Sequence, residues 1–320
     1  MKTKTLLVIV DALNSLFNEN CDLETIGPNG ELLLDYSLFD AAEAGFNKFV
    51  FVHDKKYAHE LRHHVLSQLD QKMTVEFIPK DPNDLPIVPM EGLEYIQSWG
   101  NAQDIWRSRH KIHEPFTVIH SNYYYGKTAF ENAISFMSEY PEDFGIVGFP
   151  LTNTLSESGS VNRQVCILEY ETDTISEIKE YNDISKIIDG KIRCRTDEGV
   201  VKSLMGEQPV SMNIYCLNPF FFECLEAELM RFILDYQYEE ASELGTLQVL
   251  EFCRKNGWKN LRLIETRSQC LGTTVKPEKS LVKQLLTQFM NQGMYPGGFT
   301  SHPILNRKRS PDFEFAACYK

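Results

Sequence analysis

A chain of 320 residues with 42% hydrophobic and 24% charged content can bury a large core, and open α/β sheets of this size often form one domain. Its formal net charge of −13 leaves no basic excess to neutralise phosphates. That excludes nonspecific binding to DNA, RNA or an anionic membrane surface, while a small local pocket remains free to take a phosphorylated ligand.

The start, Lys2-Thr3-Lys4 followed by Leu6 to Val10, has only a five-residue apolar run before Asp11. That is too short for the core of a signal peptide, and no small-residue cleavage site follows. No stretch approaches the roughly 18 to 20 apolar residues of a membrane helix. The eight cysteines are scattered without C-x-x-C spacing, mostly inside apolar runs, and read as buried free thiols. The expected compartment is the cytoplasm, with no nucleic-acid or membrane partner.

Leu6 to Val10 is β-branched and wholly apolar, the pattern of a strand buried on both faces. Asp35 to Ala44 reads as a helix that stops at Gly45, and Phe49 to Val52 as a second buried strand. Strand, helix and strand in that order imply a right-handed parallel crossover. The pattern recurs: His59 to Leu69 helical, Thr74 to Ile78 extended, Asn101 to His110 helical, Phe116 to His120 a strand, Lys127 to Ser138 a helix and Phe144 to Phe149 a strand. The first 150 residues thus read as a doubly wound sheet.

After Pro150 the character changes. Val165 to Glu171 and Thr174 to Glu180 alternate around a hairpin turn near Thr172-Asp173. Gln208 to Leu217 reads as a strand, Phe220 to Tyr236 and Leu247 to Lys255 as helices, Leu261 to Glu265 as a strand and Lys279 to Gln292 as a last helix. Residues 293–320 are expected to be irregular. The expected organisation is one domain over 1–292, its halves meeting near residue 150.

Several segments occur in an order that resembles bacterial sugar-1-phosphate nucleotidyltransferases. They are Gly27-Pro28-Asn29-Gly30-Glu31, then Leu34-Asp35-Tyr36-Ser37, Ala44-Gly45-Phe46 and Trp99-Gly100-Asn101-Ala102. Tyr125-Gly126-Lys127, Asn153-Thr154-Leu155-Ser156-Glu157, Gly159-Ser160-Val161-x-Arg163 and Val210-Ser211-Met212-Asn213 complete the series. The resemblance covers roughly residues 4 to 290. It implies a GT-A-like, Rossmann-related α/β fold: a mixed, mostly parallel sheet flanked by helices, with residues 1–150 on the nucleotide side and a hairpin-containing half, 151–292, on the sugar side. Asn14, Ser15, Trp99, Gly100 and Ala102 then fall on nucleotide-binding positions.

The same resemblance exposes three departures. The family's first loop, close to L-A-A-G-M-G-S-R-F-G-x-x-K, cradles a triphosphate with glycines and cations. Here it reads Val10-Asp11-Ala12-Leu13-Asn14-Ser15-Leu16-Phe17, with no cation and a new carboxylate at Asp11. The stretch V-I-N-A-D-D-F-Y-G, which supplies a Mg²⁺ aspartate, becomes Val118-Ile119-His120-Ser121-Asn122-Tyr123-Tyr124-Tyr125-Gly126. A third aspartate position falls near Arg267 or Ser268. Nucleotidyl transfer in this family needs the metal to clamp the α-phosphate and basic residues to stabilise the leaving pyrophosphate. Three altered parts of one mechanism imply a chain that no longer does this chemistry by this route.

The positions on the sugar side are better matched. Gly148 falls where the family's backbone meets the sugar, Glu180 on a glutamate that accepts from sugar hydroxyls, and Met212-Asn213 on a pair lining the same pocket. Arg163 reads equally as a phosphate ligand or as a structural partner. Asp11 reads first as a cap of the turn that follows it. The Tyr123-Tyr124-Tyr125 run is either a stacking platform or a partly buried cluster. His59 and His63, at helical spacing, read as a solvated face, since no Cys or carboxylate signature accompanies them.

Two readings follow. In the first, the chain binds a sugar, sugar phosphate or nucleotide sugar without a cofactor, in a regulatory or partner role beside an active paralogue or a second copy of itself. In the second, it transfers a nucleotidyl group to a sugar-1-phosphate with Mg²⁺ held by non-standard ligands, Asp11 and Asn122. A third, a pure interaction protein, has Leu13, Leu16 and Tyr123 filling the nucleotide cleft.

Overall fold

In the computed structural model the described residues are 2–10, 25–81, 84, 86, 100–156, 159–187, 189–195, 199–236, 243–272, 276–296 and 299. The first half contributes β1 (Thr5–Ile9), α1 (Leu33–Ala44), β2 (Lys48–His53), α2 (Ala58–Gln68), β3 (Thr74–Pro79), α3 (Asn101–Trp106), β4 (Phe116–His120), β5 (Tyr123–Tyr124), α4 (Lys127–Glu139) and β6 (Phe144–Pro150). The second contributes β7 (Val161–Leu168), β8 (Ile175–Lys186), β9 (Ile192–Arg195), β10 (Val201–Leu204), β11 (Pro209–Leu217), α5 (Phe220–Tyr236), α6 (Thr246–Lys255), β12 (Leu261–Glu265), β13 (Leu271–Gly272) and α7 (Lys276–Asn291).

Among these residues eleven strands form one mixed sheet in the order β10-β9-β8-β7-β11-β4-β1-β2-β3, with β6 against β11 and β12 against β6. The strands β3-β2-β1-β4 are mutually parallel, as are β6 and β12, whereas β7 to β11 run antiparallel. The expected α/β architecture is present: a mixed sheet flanked by helices, with hairpin-connected strands in the second half.

Burial on both faces explains why β1 is apolar from Leu6 to Ile9. Leu6 and Val8 join one core cluster with Tyr36 and Leu38 of α1 and Phe130 of α4. Leu7 and Ile9 join the other with Ile105 of α3, Phe221 of α5 and Leu250 of α6. Alternate residues of a strand face opposite sides of its sheet, so a central strand with two covered faces is apolar along its middle, and its one polar residue, Thr5 at the start, bonds Glu114. Helix α1 ends as expected at Gly45, whose φ of 105° lets its N–H turn back to the carbonyls of Ala41 and Ala42.

The expected and observed elements differ in a few places. Helix α3 stops at Trp106 and continues as turns, in which Arg109 N donates to the Trp106 carbonyl and Ile112 N to that of Ser108. The hairpin is longer than its alternation suggests. Strand β8 runs on to Lys186, and the turn closes where Glu169 N donates to the Thr174 carbonyl at 2.9 Å. Beyond α7, in the stretch read as irregular, two residues also join the core, which irregular structure permits. Tyr295 and Phe299 are 4% and 2% exposed, packed edge-on against Tyr36.

Cys166, Cys194, Cys216, Cys224, Cys253 and Cys270 are buried free thiols, as their apolar surroundings suggest, while Cys21 and Cys318 lie outside the described residues. Among the described residues no helix is long and apolar enough to cross a membrane.

Candidate functional site

The two halves meet along β11. Its lower part pairs with β7, Val210 opposite Val165 and Ser211 opposite Gln164. Its upper part pairs on the same edge with β4, Tyr215 opposite Val118. Between them the register against β6 shifts across Ser211 to Tyr215, and Asn213 takes a left-handed φ of 60°. A bulge of this kind bends a strand and re-aims its side chains. Here it lets β11 change partners, and the gap between β7 and β4 opens into a polar cavity of about 300 Å³.

Strand register carries the floor of that cavity. Glu180 of β8 stands opposite Gln164 of β7, which stands opposite Ser211 of β11. Met212, Asn213 and Arg163 line it too, with Tyr123 of β5 and Asn101 from the start of α3 closing it on the other side. The structure therefore brings together four residues named from the sequence, Glu180, Met212, Asn213 and Arg163. Gly148 is one step along the same row, in β6 opposite Ser211, where a Cβ would come within 2.4 Å of Leu263.

The electrostatics are local. Glu180 is the exposed anion of the cavity. The Arg163 guanidinium is tied down: Nε donates to Thr154 Oγ1 at 3.2 Å, Nη1 to the Asn162 carbonyl at 2.8 Å, and Nη2 to the Thr154 carbonyl. It supplies charge from a fixed place. Asn213 Oδ1 accepts from the Tyr215 hydroxyl at 2.9 Å, and burial pushes that phenol well above its ordinary pKa, keeping it a neutral donor.

The nucleotide side is described in part. Asp11, Asn14, Ser15 and Trp99, with Leu13 and Leu16, lie outside the described residues. Gly100 has φ 93°, and a Cβ there would lie 2.4 Å from the Leu244 carbonyl oxygen. Ala102 is fully buried, its N–H donating to the same carbonyl at 3.2 Å. Between them, Asn101 Oδ1 accepts from Thr246 N at 2.8 Å and from Thr246 Oγ1 at 3.1 Å.

Asn122 sits at the carboxyl end of the parallel strands, where Ser121 N donates to the Ile9 carbonyl at 3.0 Å. Ligands of open α/β sheets bind at such ends. Strand β13 runs antiparallel to β5, Gly272 opposite Tyr123, so the segment carrying Arg267 leads past Thr128 and Asn153, whose Nδ2 donates to the Arg267 carbonyl at 3.0 Å. Arg267 is exposed, and the Ser268 hydroxyl bonds to that of Thr128. The neutral amide of Asn122 suits Mg²⁺ poorly, since Mg²⁺ takes carboxylate and water oxygens, and the Arg267 guanidinium repels a cation. Among the described residues no group of three His, Cys, Asp or Glu side chains is placed to hold a metal. His59 is largely exposed, and His64 instead pairs with Asp35, Nε2 to Oδ1 at 2.7 Å.

The tyrosine run divides between roles. Tyr125 is fully buried and its hydroxyl accepts from His120 N at 3.1 Å, Tyr124 is buried, and the half-buried Tyr123 reaches the cavity. Asn101, Asn162, Gln164 and Ser211 were not read as site residues from the sequence. Their signal is the cross-strand register with Glu180 and the Gly100 turn, which appear only once the strands are paired.

The fold, as distinct from the site, is shared with solved structures. This chain has the sugar-1-phosphate nucleotidyltransferase fold. A Bacillus anthracis protein assigned as a glucose-1-phosphate thymidylyltransferase, solved with sucrose, matches with a TM-score of 0.60 at 10% identity over 93% of this chain and 99% of its own. An inositol-1-phosphate CTP transferase from T. maritima matches at 0.59, with 13% identity over 89% and 95% of the two chains. A UDP-glucose pyrophosphorylase bound to UDP-glucose matches at 0.58, with 12% identity over 90% and 99%. No family model matches the sequence, and no curated protein does. Identity this low establishes the fold and leaves the activity to the site.

Proposed function

We propose that this chain binds a sugar, sugar phosphate or nucleotide sugar in the cavity at β11 and has lost metal-dependent nucleotidyl transfer, acting as a regulator or partner. The observation that carries this reading is the contrast between two neighbouring regions. Glu180, Met212, Asn213 and Arg163 come from three strands to line one cavity, while Asn122 and Arg267, standing where the resemblance expects metal aspartates, offer no carboxylate to a cation. Solved proteins of the same fold are named for sugar-phosphate and nucleotide-sugar chemistry, which supports a ligand of that class. An active paralogue or a second copy of the chain is the partner this role requires.

The test is pyrophosphate release with Mg²⁺, the common nucleoside triphosphates and a panel of sugar-1-phosphates, run beside an active enzyme of the fold. The expected outcome is no release, together with a thermal shift from at least one sugar phosphate or nucleotide sugar. Steady release would replace this reading with that of an active transferase using non-standard ligands, Asp11 and Asn122 first among them.

A further inference from the structure

Three asparagines line the cavity, and each has its amide oxygen occupied from within the protein. Asn101 Oδ1 accepts from Thr246 N and Oγ1, Asn162 Oδ1 accepts from Asp183 N at 3.1 Å, and Asn213 Oδ1 accepts from the Tyr215 hydroxyl. A backbone N–H can only donate, so at Asn101 and Asn162 the atom facing it must be oxygen, and the orientation of the amide is settled by chemistry. At those two the NH₂, a donor of two hydrogens, has no partner among the described residues, and Asn213, with its oxygen toward the Tyr215 hydroxyl, presents the same group.

The backbone holds this arrangement in place. Asn213 sits at φ 60° in the β11 bulge, a left-handed conformation that asparagine tolerates better than other side chains, and Asp183 N is presented from another left-handed residue at φ 53°. Asn101 follows Gly100, whose contact with Leu244 fixes the approach of the segment that carries Thr246. The three amides are thus fixed by three separate elements, α3, β7 and β11.

Donors therefore outnumber fixed acceptors. Glu180 is the acceptor-only group of the cavity, and Arg163 sets a positive charge beside it with its N–H groups already engaged by Thr154 and Asn162. A neutral hexose brings one hydroxyl hydrogen for every hydroxyl oxygen and would seek more acceptors than this. A carboxylate brings two oxygens that only accept, and its bonds to amide donors are about twice as strong as neutral ones.

We propose that the cavity selects an acidic hexose, one bearing a carboxylate, and that the amino groups of Asn101, Asn162 and Asn213 set that preference. The inference rests on the sugar-binding reading given above and narrows its ligand class. A volume of about 300 Å³ suits a single hexose unit, with or without an anomeric phosphate.

The test is isothermal titration of the full chain with D-glucuronate, D-glucose, glucose 1-phosphate and UDP-glucose. Glucuronate is expected to bind at least tenfold more tightly than glucose. Asn101→Asp, Asn162→Asp and Asn213→Asp each keep the pinned oxygen and exchange the amino group for a second oxygen. Each is expected to lose tenfold or more toward glucuronate and threefold or less toward glucose. Circular dichroism checks that each variant is folded, and the wild-type ratio decides the matter even where one is not. Glucose binding as tightly as glucuronate overturns the preference, and so does a ratio unchanged in the three variants. Binding of glucose 1-phosphate or UDP-glucose with neither monosaccharide also overturns it, yet leaves the sugar-binding reading standing. Silence toward all four ligands overturns both.

Discussion

Asp40 lies on α1 with 1% of its surface exposed, and Tyr295 donates to its Oδ2 at 2.8 Å while the Tyr124 hydroxyl meets that of Tyr295 at 2.8 Å. Burial pushes the Asp40 carboxyl up to about 7; Glu131 and Glu43 push the same way, and Tyr295 and Lys127 oppose them. An aspartate that titrates near 3.9 when unfolded and near 7 when folded holds a proton more readily in the native state over that interval. Its contribution to stability is fully present below about pH 4 and is lost as the pH rises through 7. Asp40→Asn keeps an acceptor for Tyr295 and removes the titration. Between pH 5 and 8 the wild-type melting temperature is expected to fall by several degrees more than that of the variant. Parallel curves would show that Asp40 stays ionised and contributes nothing to the slope. None of this was legible in the sequence, because Asp40 is one acidic residue among 45 until Tyr295 arrives from 255 positions away.

At the scale of elements, the sequence revealed whatever burial alone determines. Strands β1, β2, β4 and β6 are apolar because helices cover both their faces, so they announce themselves without reference to any partner. Elements that exist only through pairing did not. The two-residue strands β5 and β13 hold each other, and β9 and β10 form an edge with exposed residues at alternate or successive positions. The β11 bulge is in the same class, since one strand changing neighbours leaves no mark in its own pattern. Gly100 offers a sharper case: its motif was recognised, while the need for glycine shows only against Leu244. Gly100→Ala places a Cβ against that carbonyl at φ 93°. A left-handed alanine alone costs about 1–2 kcal/mol, so urea unfolding should show a loss of about 2 kcal/mol or more. A change of only about 0.5 kcal/mol, the usual scatter of surface substitutions, would mean that the Leu244 segment moves aside freely.

At the scale of the whole molecule, the order of short motifs was enough to read an α/β nucleotidyltransferase-like fold, even at 10–13% identity to the solved structures. Order and spacing survive because they record which strand follows which helix. What they do not record is how distant segments close the core. Phe299 stacks on Phe39 at 5.1 Å and meets Tyr36 edge-on at 4.9 Å, so a residue from beyond α7 seals the outer face of α1 near the start of the chain. The Gly- and Pro-bearing stretch around it gave no hint of this, since a single anchoring aromatic has no periodicity to detect. Truncating a buried phenylalanine to alanine removes its transfer energy and leaves a cavity that neighbours fill only in part, at a cost of about 3–5 kcal/mol. Phe299→Ala is therefore expected to lower unfolding stability by about 3 kcal/mol and to make α1 more accessible to hydrogen exchange than α5, which belongs to the other core cluster. Equal protection changes in both helices would indicate that the two cores unfold as one unit. An unchanged stability would mean that Phe299 merely rests on α1, and that the fold closes without it.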